Sequence, residues 1–268
     1  MSLEPDPIAG EGRIVGRAEG CVALVIAHPG HELRVHHWVE RVRPVVCVLT
    51  DGSGSNRHSR LESTERVLDR AGAEPGPIFG RLSDRAIYRA LTDGDTGRFV
   101  DLAREIEALI VERGIRVVAG DALEGYNPAH DVCRMIIDAV CRRVAGRAVE
   151  NLEFSLFGHP GEGPPPRSGS ERRLRLDDAA LGRKFEAAEG YVELQDEVAA
   201  SLEAFGRESF RAEVLLPATR SEPTEVPPFY ESFGELRVRS GAYAEVLRYQ
   251  EHVVPVQRAL DAYVLGVD

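Results

Sequence analysis

Cys21-Val-Ala-Leu-Val-Ile-Ala27, followed at once by His28-Pro29-Gly30-His31-Glu32, is the stretch on which the reading of this chain turns. The apolar or small residues between Gly20 and Pro29 predict a buried strand. Two imidazoles, His28 and His31, stand three residues apart at its C-terminal end. In open α/β sheets ligands bind outside the carboxyl ends of the strands. A second segment, Glu124-Gly-Tyr-Asn-Pro-Ala-His130-Asp131, follows another apolar strand candidate, Ile115–Ala119. Three imidazoles drawn from two strand ends fit a metal site with three protein ligands and one open position, the arrangement that catalytic zinc uses. Pro29-Gly30 keeps the first turn tight, and Pro tolerates an early helical position because its missing N–H would be unbonded there anyway.

Working outward, strand and helix signals alternate from 21 to about 157. His31–Val42 reads as a helix and Val45–Leu49 as a strand stopped by the polar turn Asp51–Asn56. Ser59–Ala73 reads as a helix with Ser59 as cap and Glu62 three residues on. Asp101–Arg113 is amphipathic, with Leu102, Ile106, Leu109 and Ile110 on one face, and Gly114 follows as C-cap. Pro128 opens a helix to about Val144, with Val132, Ile136 or Met135, Ala139 and Val140 inward. Val149–Phe157 is a further strand candidate. The alternation predicts a parallel sheet with right-handed crossovers. Beyond the Pro/Gly-rich loop 158–170, Asp177–Phe205 reads as one long helix, and a last helix runs from about Val253 to Val264. The expected organisation is a poorly ordered arm over 1–20 and one α/β domain over 21–268, with its core at about 21–160 and a C-terminal extension at about 171–268.

Composition excludes several classes. A formal net charge of -11 over 268 residues repels phosphate backbones, so no nucleic-acid partner is expected. There is no run of ~18 apolar residues and hence no membrane span, and the acidic, Gly-rich start is unlike a secretory signal. Cys21, Cys47, Cys133 and Cys141 form no C-x-x-C pair and read as reduced core residues of a cytoplasmic protein. The sequence is compatible with a homo-oligomer and fixes no oligomeric state.

Other histidines and motifs are weighed down. His31 and His36 are five apart, about 140° around a helix, so they are not the metalloprotease pair. His36 and His37 read as a surface and a packing residue. His58 and His252 carry no motif, and His159 stands before the Pro-rich loop. Asp51–Asn56 lacks the Lys-Ser/Thr end of a phosphate loop. Pro227-Pro-Phe-Tyr230-Glu-Ser-Phe233 sets aromatic residues among turn formers, for packing, for stacking on a sugar ring or for a subunit contact.

Taken in order, these segments resemble the LmbE-like/PIG-L deacetylase superfamily. Its first motif, Ala-His-Pro-Asp-Asp-Glu, is here Ala27-His28-Pro29-Gly30-His31-Glu32. Its Thr-Asp-Gly-like turn is similar to Thr50-Asp51-Gly52, and its Arg…Glu helix is loosely similar to Arg60-Leu-Glu62. Its second motif, Glu-Gly-Gly-His-Pro-Asp-His-Asp, is here Glu124–Asp131. The resemblance spans about residues 20–160 and is weaker over Lys184–Phe210. It implies a Rossmann-like three-layer α/β sandwich with a mainly parallel sheet.

The same resemblance implies a zinc-dependent hydrolase that removes an acyl group from an N-acyl amino sugar or related amide, on a small-molecule or glycoconjugate substrate. His28, His31 and His130 fall on the metal-ligand positions, for zinc or another divalent transition metal. His31 stands for a family carboxylate, and three-His zinc still acidifies water effectively. Gly30 stands where the family has its general base, and Asn127 where it has a histidine that assists the oxyanion. Asn donates a hydrogen bond to an oxyanion but shuttles no proton. Three outcomes are open. A nearby carboxylate (Glu32, Asp51, Asp121 or Glu124) replaces the base, whose help is worth ~10²–10⁴-fold. The metal-activated water acts alone. Or the chain is a repurposed LmbE-fold protein that binds metal or ligand without turnover. Glu32 also fits a plain role bracing the helix start, and Asp51 and Asn127 fit plain turn formers. Gly30→Asp is expected to create or raise deacetylase activity.

Overall fold

The computed structural model describes residues 21–54, 58–161, 171–218 and 226–267. The expected arm over 1–20 and residues 162–170 of the Pro/Gly-rich loop lie outside the described residues. The first strand, β1 (Val22–Ile26), is buried on both faces, and its side chains alternate between two cores. Ala23 and Val25 enter one, and Val22, Leu24 and Ile26 enter the other. That is what a central strand of a parallel sheet demands.

β1 pairs in parallel with β2 (Val45–Thr50) on one side and with β4 (Val117–Asp121) on the other. Outside these lie β3 (Glu74–Leu82) and β5 (Glu150–Phe154), also parallel. From the C-terminal third, β7 (Ala212–Pro217) joins β5 antiparallel and β6 (Arg172–Arg175) joins β7. Among the described residues the order is β3-β2-β1-β4-β5-β7-β6. The chain runs outward from β1 through β2 to β3, then returns to the opposite side at β4. The strand order therefore reverses between β1 and β4, which makes their carboxyl ends the crevice where such sheets bind ligands.

One face of the sheet carries α3 (Asp84–Thr92), α4 (Thr96–Arg113), α5 (Pro128–Arg143) and α9 (Val254–Leu265). The other carries α1 (His36–Val42) and α2 (Leu61–Ala71). Helices α6 (Asp178–Glu189), α7 (Gln195–Phe205) and α8 (Phe229–Arg239) complete the extension. The α/β architecture with a mostly parallel sheet is the one the sequence implies. No helix among the described residues is long and apolar enough to cross a membrane.

Several local expectations are corrected. β4 runs two residues past the expected end, so that Asp121 is its last residue. His31–Val42 is a tight 3₁₀ segment, His31–Val35, followed by α1. The 3₁₀ repeat brings residues three apart onto one side, and Glu32 and Val35 are both buried. The change of phase also buries His36 and leaves His37 only half-buried, the reverse of the expectation. α2 has Arg60, not Ser59, at its N-cap, and Glu62 pairs with Arg66 instead of closing a capping box. β3 was missed because Pro75 and Pro77 mask it; an edge strand tolerates them. The expected helix Asp177–Phe205 breaks after Glu189 into α6, a 3₁₀ turn Val192–Leu194 and α7. The break lets Tyr191 bury its ring and share a hydrogen bond with the Thr64 hydroxyl (2.7 Å). All four cysteines are free; Cys21 is half-buried ahead of β1, and the others are buried.

The extension is locked to the core by charge. Glu213 of β7 accepts the N–H groups of His37 (2.9 Å) and Trp38 (2.8 Å), the open donors at the start of α1. Lys184 of α6 donates to Glu213 (2.8 Å) and to the Arg34 carbonyl (2.9 Å). Burial pushes the Lys184 ammonium below its ordinary range, against the pull of Glu213. Removing one partner of a buried pair leaves the other charge uncompensated, at about 3–5 kcal/mol. Lys184→Met is therefore expected to lower unfolding free energy by about 3 kcal/mol in urea titrations; a loss below about 1 kcal/mol would show that the backbone amides satisfy Glu213 unaided.

Candidate metal centre

Asp121 builds the first half of the site. Its Oδ2 accepts the Ala27 N–H (2.8 Å), tying the end of β1 to the end of β4. The same carboxylate accepts from His31 Nδ1 at 2.9 and 3.0 Å. Between them the chain turns at Gly30, whose φ of +106° is a region side chains rarely enter. Glu32 stabilises that turn by accepting the Gly30 N–H (2.8 Å).

His28 is held from the other side. Its Nδ1 lies 2.7 Å from the Thr50 hydroxyl, at the end of β2, and 3.0 Å from Asp84 Oδ1, in the first turn of α3. Burial pushes the Asp84 carboxyl up. The hydrogen bonds of His28, Thr50 and the Gly54 N–H, with the charge of His28, outweigh it and hold the group well below the usual carboxylate range. A carboxylate only accepts, so Nδ1 is the nitrogen of His31 that donates to Asp121, whereas His28 Nδ1 meets the Thr50 hydroxyl, which can give or take a hydrogen bond. Metal-binding histidines are oriented by carboxylates in this way.

His130 completes the cluster from the first turn of α5. Asn127 caps that helix, its Oδ1 accepting the Ala129 N–H (2.8 Å), and Pro128 occupies the first helical position. Burial first, then the neighbouring His31 and His28, push the His130 imidazole well below its ordinary value. The ring is neutral, as a ligand must be, and its Nδ1 is buried with no hydrogen-bond partner.

The ring centroids are 5.3 Å apart for His28–His31, 5.0 Å for His28–His130 and 4.6 Å for His31–His130. Three imidazoles bonded tetrahedrally to one zinc at about 2.0–2.1 Å place their centroids about 5 Å apart. The rings therefore fit. As the side chains stand, no three or more His, Cys, Asp or Glu among the described residues have donor atoms converging as a metal-holding group. The two observations concern different coordinates. The backbone and the Cα–Cβ torsion set the centroids, whereas rotation about the Cβ–ring bond aims the nitrogens, and that torsion is broad for histidine.

The remaining candidates are engaged elsewhere. Glu32 is fully buried, and burial pushes its carboxyl up to about 7, against the pull of the Glu32 and Gly30 amides and Thr64. Asp51 accepts the Ser53 N–H (3.0 Å) and so closes its own turn. Glu124 spends one oxygen on the Leu156 N–H (3.0 Å) and the other on the Phe157 N–H (3.1 Å). Asn127 Oδ1 accepts from Ala129 and from the Tyr88 hydroxyl (3.4 Å), which leaves the Nδ2 side of the amide as its donor. Sequence reasoning missed Thr50, Asp84 and Leu194. Asp84 gave only the Ser83-Asp84 helix start as a signal, more than fifty positions from His28. A Cβ built at Gly30 would come within 2.4 Å of Leu194 Cδ1 and 3.8 Å of the Tyr191 ring. The extension thus fills the space into which a residue-30 side chain would grow.

With this geometry in view, comparison with solved structures bears out the resemblance at the level of fold. The A40926 pseudoaglycone deacetylase Dbv21 is 19% identical, over 77% of this chain and 100% of its own, with a TM-score of 0.55. A deacetylase of the teicoplanin biosynthesis pathway, solved as a bog complex, is 17% identical over 76% and 100%, with a TM-score of 0.54. The zinc-inhibited form of teicoplanin deacetylase Orf2 is 15% identical over 76% and 100%, with a TM-score of 0.51. No family model and no curated protein matches the chain.

The surroundings of Gly30 revise the expectation for Gly30→Asp. A left-handed backbone at a non-glycine residue costs about 1–3 kcal/mol, and the new Cβ also meets Leu194. The variant is expected to lower unfolding free energy by about 2 kcal/mol, and by less in a Leu194→Ala background. A double-mutant cycle in urea measures the coupling; strict additivity would show that Leu194 does not resist the substitution. The activity gain expected from sequence moves to the double variant.

Proposed function

We propose that this chain is a divergent member of the LmbE-like class, a hydrolase that removes an acyl group from an N-acyl amino sugar, free or within a glycoconjugate. His28, His31 and His130 would hold zinc or another divalent transition metal. The observation that carries the reading is the gathering of three imidazoles at the switch point of the sheet, two beside buried or half-buried carboxylates and the third buried with an unpartnered nitrogen. The shared fold with solved deacetylases named for A40926 pseudoaglycone and for teicoplanin supports the deacetylase assignment.

Bound there, a divalent metal supplies a positive charge that polarises an amide carbonyl and acidifies water. The chain's own residues do the rest. Asp121 accepts from His31 Nδ1 and would leave Nε2 of that ring for the metal, and Asp84 and Thr50 flank His28 Nδ1. Asn127, capped through its Oδ1, offers Nδ2 as a donor to the oxygen of the attacked carbonyl. Glu32 has a proton affinity suited to neutral pH, but it faces the Gly30 amide; we assign it to holding the turn between the two ligands. Asp51 holds its own turn beside Thr50. No side chain stands at position 30 to take a proton, so the expected rate is below that of an enzyme with a carboxylate there, by up to ~10²–10⁴-fold. A second reading, binding without turnover, is favoured by the Leu194 methyl group in that space.

The purified chain is expected to carry close to one equivalent of zinc by elemental analysis and to release amine from N-acetylglucosamine-type substrates. His28→Ala should abolish both. Asp121→Asn should weaken the metal by about 10–100-fold in chelator competition. Stoichiometric zinc retained in His28→Ala would overturn the ligand assignment. Zinc bound without amine release from any N-acyl amino sugar would replace the hydrolase with the binding scaffold.

A further inference from the structure

We infer that Tyr88 is a positioning residue of the candidate site: its hydroxyl fixes the plane of the Asn127 amide and so directs Nδ2 toward the carbonyl to be attacked. The inference rests on the deacetylase reading above and deepens it, because it names the group that holds the neutral donor of that reading in place.

Tyr88 lies on α3, four residues after Asp84. Side chains four apart share one face of a helix. Asp84 Oδ1 stands 3.0 Å from His28 Nδ1, and Asp84 Oδ2 accepts the Gly54 N–H (2.6 Å). One turn further on, the Tyr88 hydroxyl donates to Asn127 Oδ1 (3.4 Å). A single helix face thus touches the loop after β1, the loop after β2 and the cap of α5. Asn127 is tied to the histidine cluster from its own side as well, since His130 follows it by three residues in the first turn of α5. The helix that carries Tyr88 is firmly seated. Ser83 caps it by accepting the Ala86 N–H (3.2 Å), and Ile87, Ala90 and Leu91 are buried beneath it.

The need for a second bond follows from the shape of an amide. A backbone N–H only donates, so the bond from Ala129 (2.8 Å) settles that the atom facing it is the oxygen of Asn127. One bond leaves the amide plane free to swing about that oxygen. The oxygen has two lone pairs, and a donor on the second removes the swing. Tyr88 is that donor, and Nδ2 is the part of the amide left over for a substrate. The phenol suits the task. Burial first, then Tyr243 and Asp84, push its ionisation up from the ordinary value, so the hydroxyl keeps its proton. Its ring packs against the main core. Phenylalanine at this position would keep that packing and lose only the donor.

The test begins with a spectroscopic reading that needs no turnover. The chain has three asparagines, Asn56, Asn127 and Asn151. Asparagine-labelled protein therefore gives three side-chain amide pairs in a nitrogen–proton correlation spectrum, and the pair that vanishes in Asn127→Ala belongs to Asn127. In Tyr88→Phe that pair is expected to shift, because the aromatic ring stays and only the bond is lost. The Asn151 pair, held by Arg134 and Asp138, is expected to stay. Kinetics follow with the full zinc-loaded chain and N-acetylglucosamine-type substrates. Tyr88→Phe should lower kcat by about two- to tenfold, the worth of one neutral hydrogen bond, with KM and zinc content unchanged. In an Asn127→Ala background the same substitution should cost nothing more.

An unshifted Asn127 pair in Tyr88→Phe would overturn the inference. So would an equal fall in kcat in both backgrounds, because Tyr88 would then act without Asn127. An unchanged kcat with lowered resistance to urea would also overturn it and leave Tyr88 as a packing residue. Hydrolysis with an unshifted pair sinks the inference and leaves the deacetylase reading. A shifted pair with no hydrolysis by the unaltered chain sinks the deacetylase reading and leaves Tyr88 as the residue that fixes the amide.

Discussion

The Asp121 carboxylate, fully buried between two strand ends, is the interaction on which the rest of the structure depends. A carboxylate removed from water is costly unless its oxygens are hydrogen-bonded. Here the Ala27 amide and the His31 ring satisfy it. One of these bonds registers β1 against β4 where the sheet topology reverses. The other fixes which nitrogen of His31 is left for a ligand. One carboxylate therefore both registers the strands and orients the His31 ring.

Around that point the chain departs from the pattern it resembles in a coordinated way. Glycine at position 30 allows the backbone to turn through a left-handed conformation. The space vacated by the missing side chain is filled by Leu194, whose 3₁₀ turn is set by the burial of Tyr191 against Thr64. Glu32, sealed beneath the same turn, bonds to the Gly30 amide. The space beside residue 30 is thus packed by an element some 160 positions away in sequence.

How much of this the sequence disclosed follows from locality. β1, β2 and α5 were legible because uninterrupted apolar runs and a proline at the helix start announce them. The triple-histidine cluster was legible because each ring sits directly after a strand or in the first turn of the following helix, where chain geometry alone constrains direction. β3 was not, since its prolines imitate a loop and only an edge position makes them tolerable. The break after Glu189 was hidden because the apolar spacing of Phe185, Ala188 and Tyr191 continues through it. Asp84, Thr50 and Leu194 reach the site only through tertiary packing. The split of His31–Val42 was invisible too, because it comes from the need to bury Glu32 and Val35 together.

Every residue of α5 from Pro128 to Cys141 is buried, and Arg134 within it is bonded to the Leu152 carbonyl and Asn151 on β5. A helix with no wet side has no freedom to slide or roll when the protein's exterior changes. His130 is thereby indexed to the interior, like a bearing set into a casting. Drift on the outside of the molecule leaves the histidine cluster where it is. Exposed side chains return only at its flanks, at Leu123 and Tyr126 before the helix.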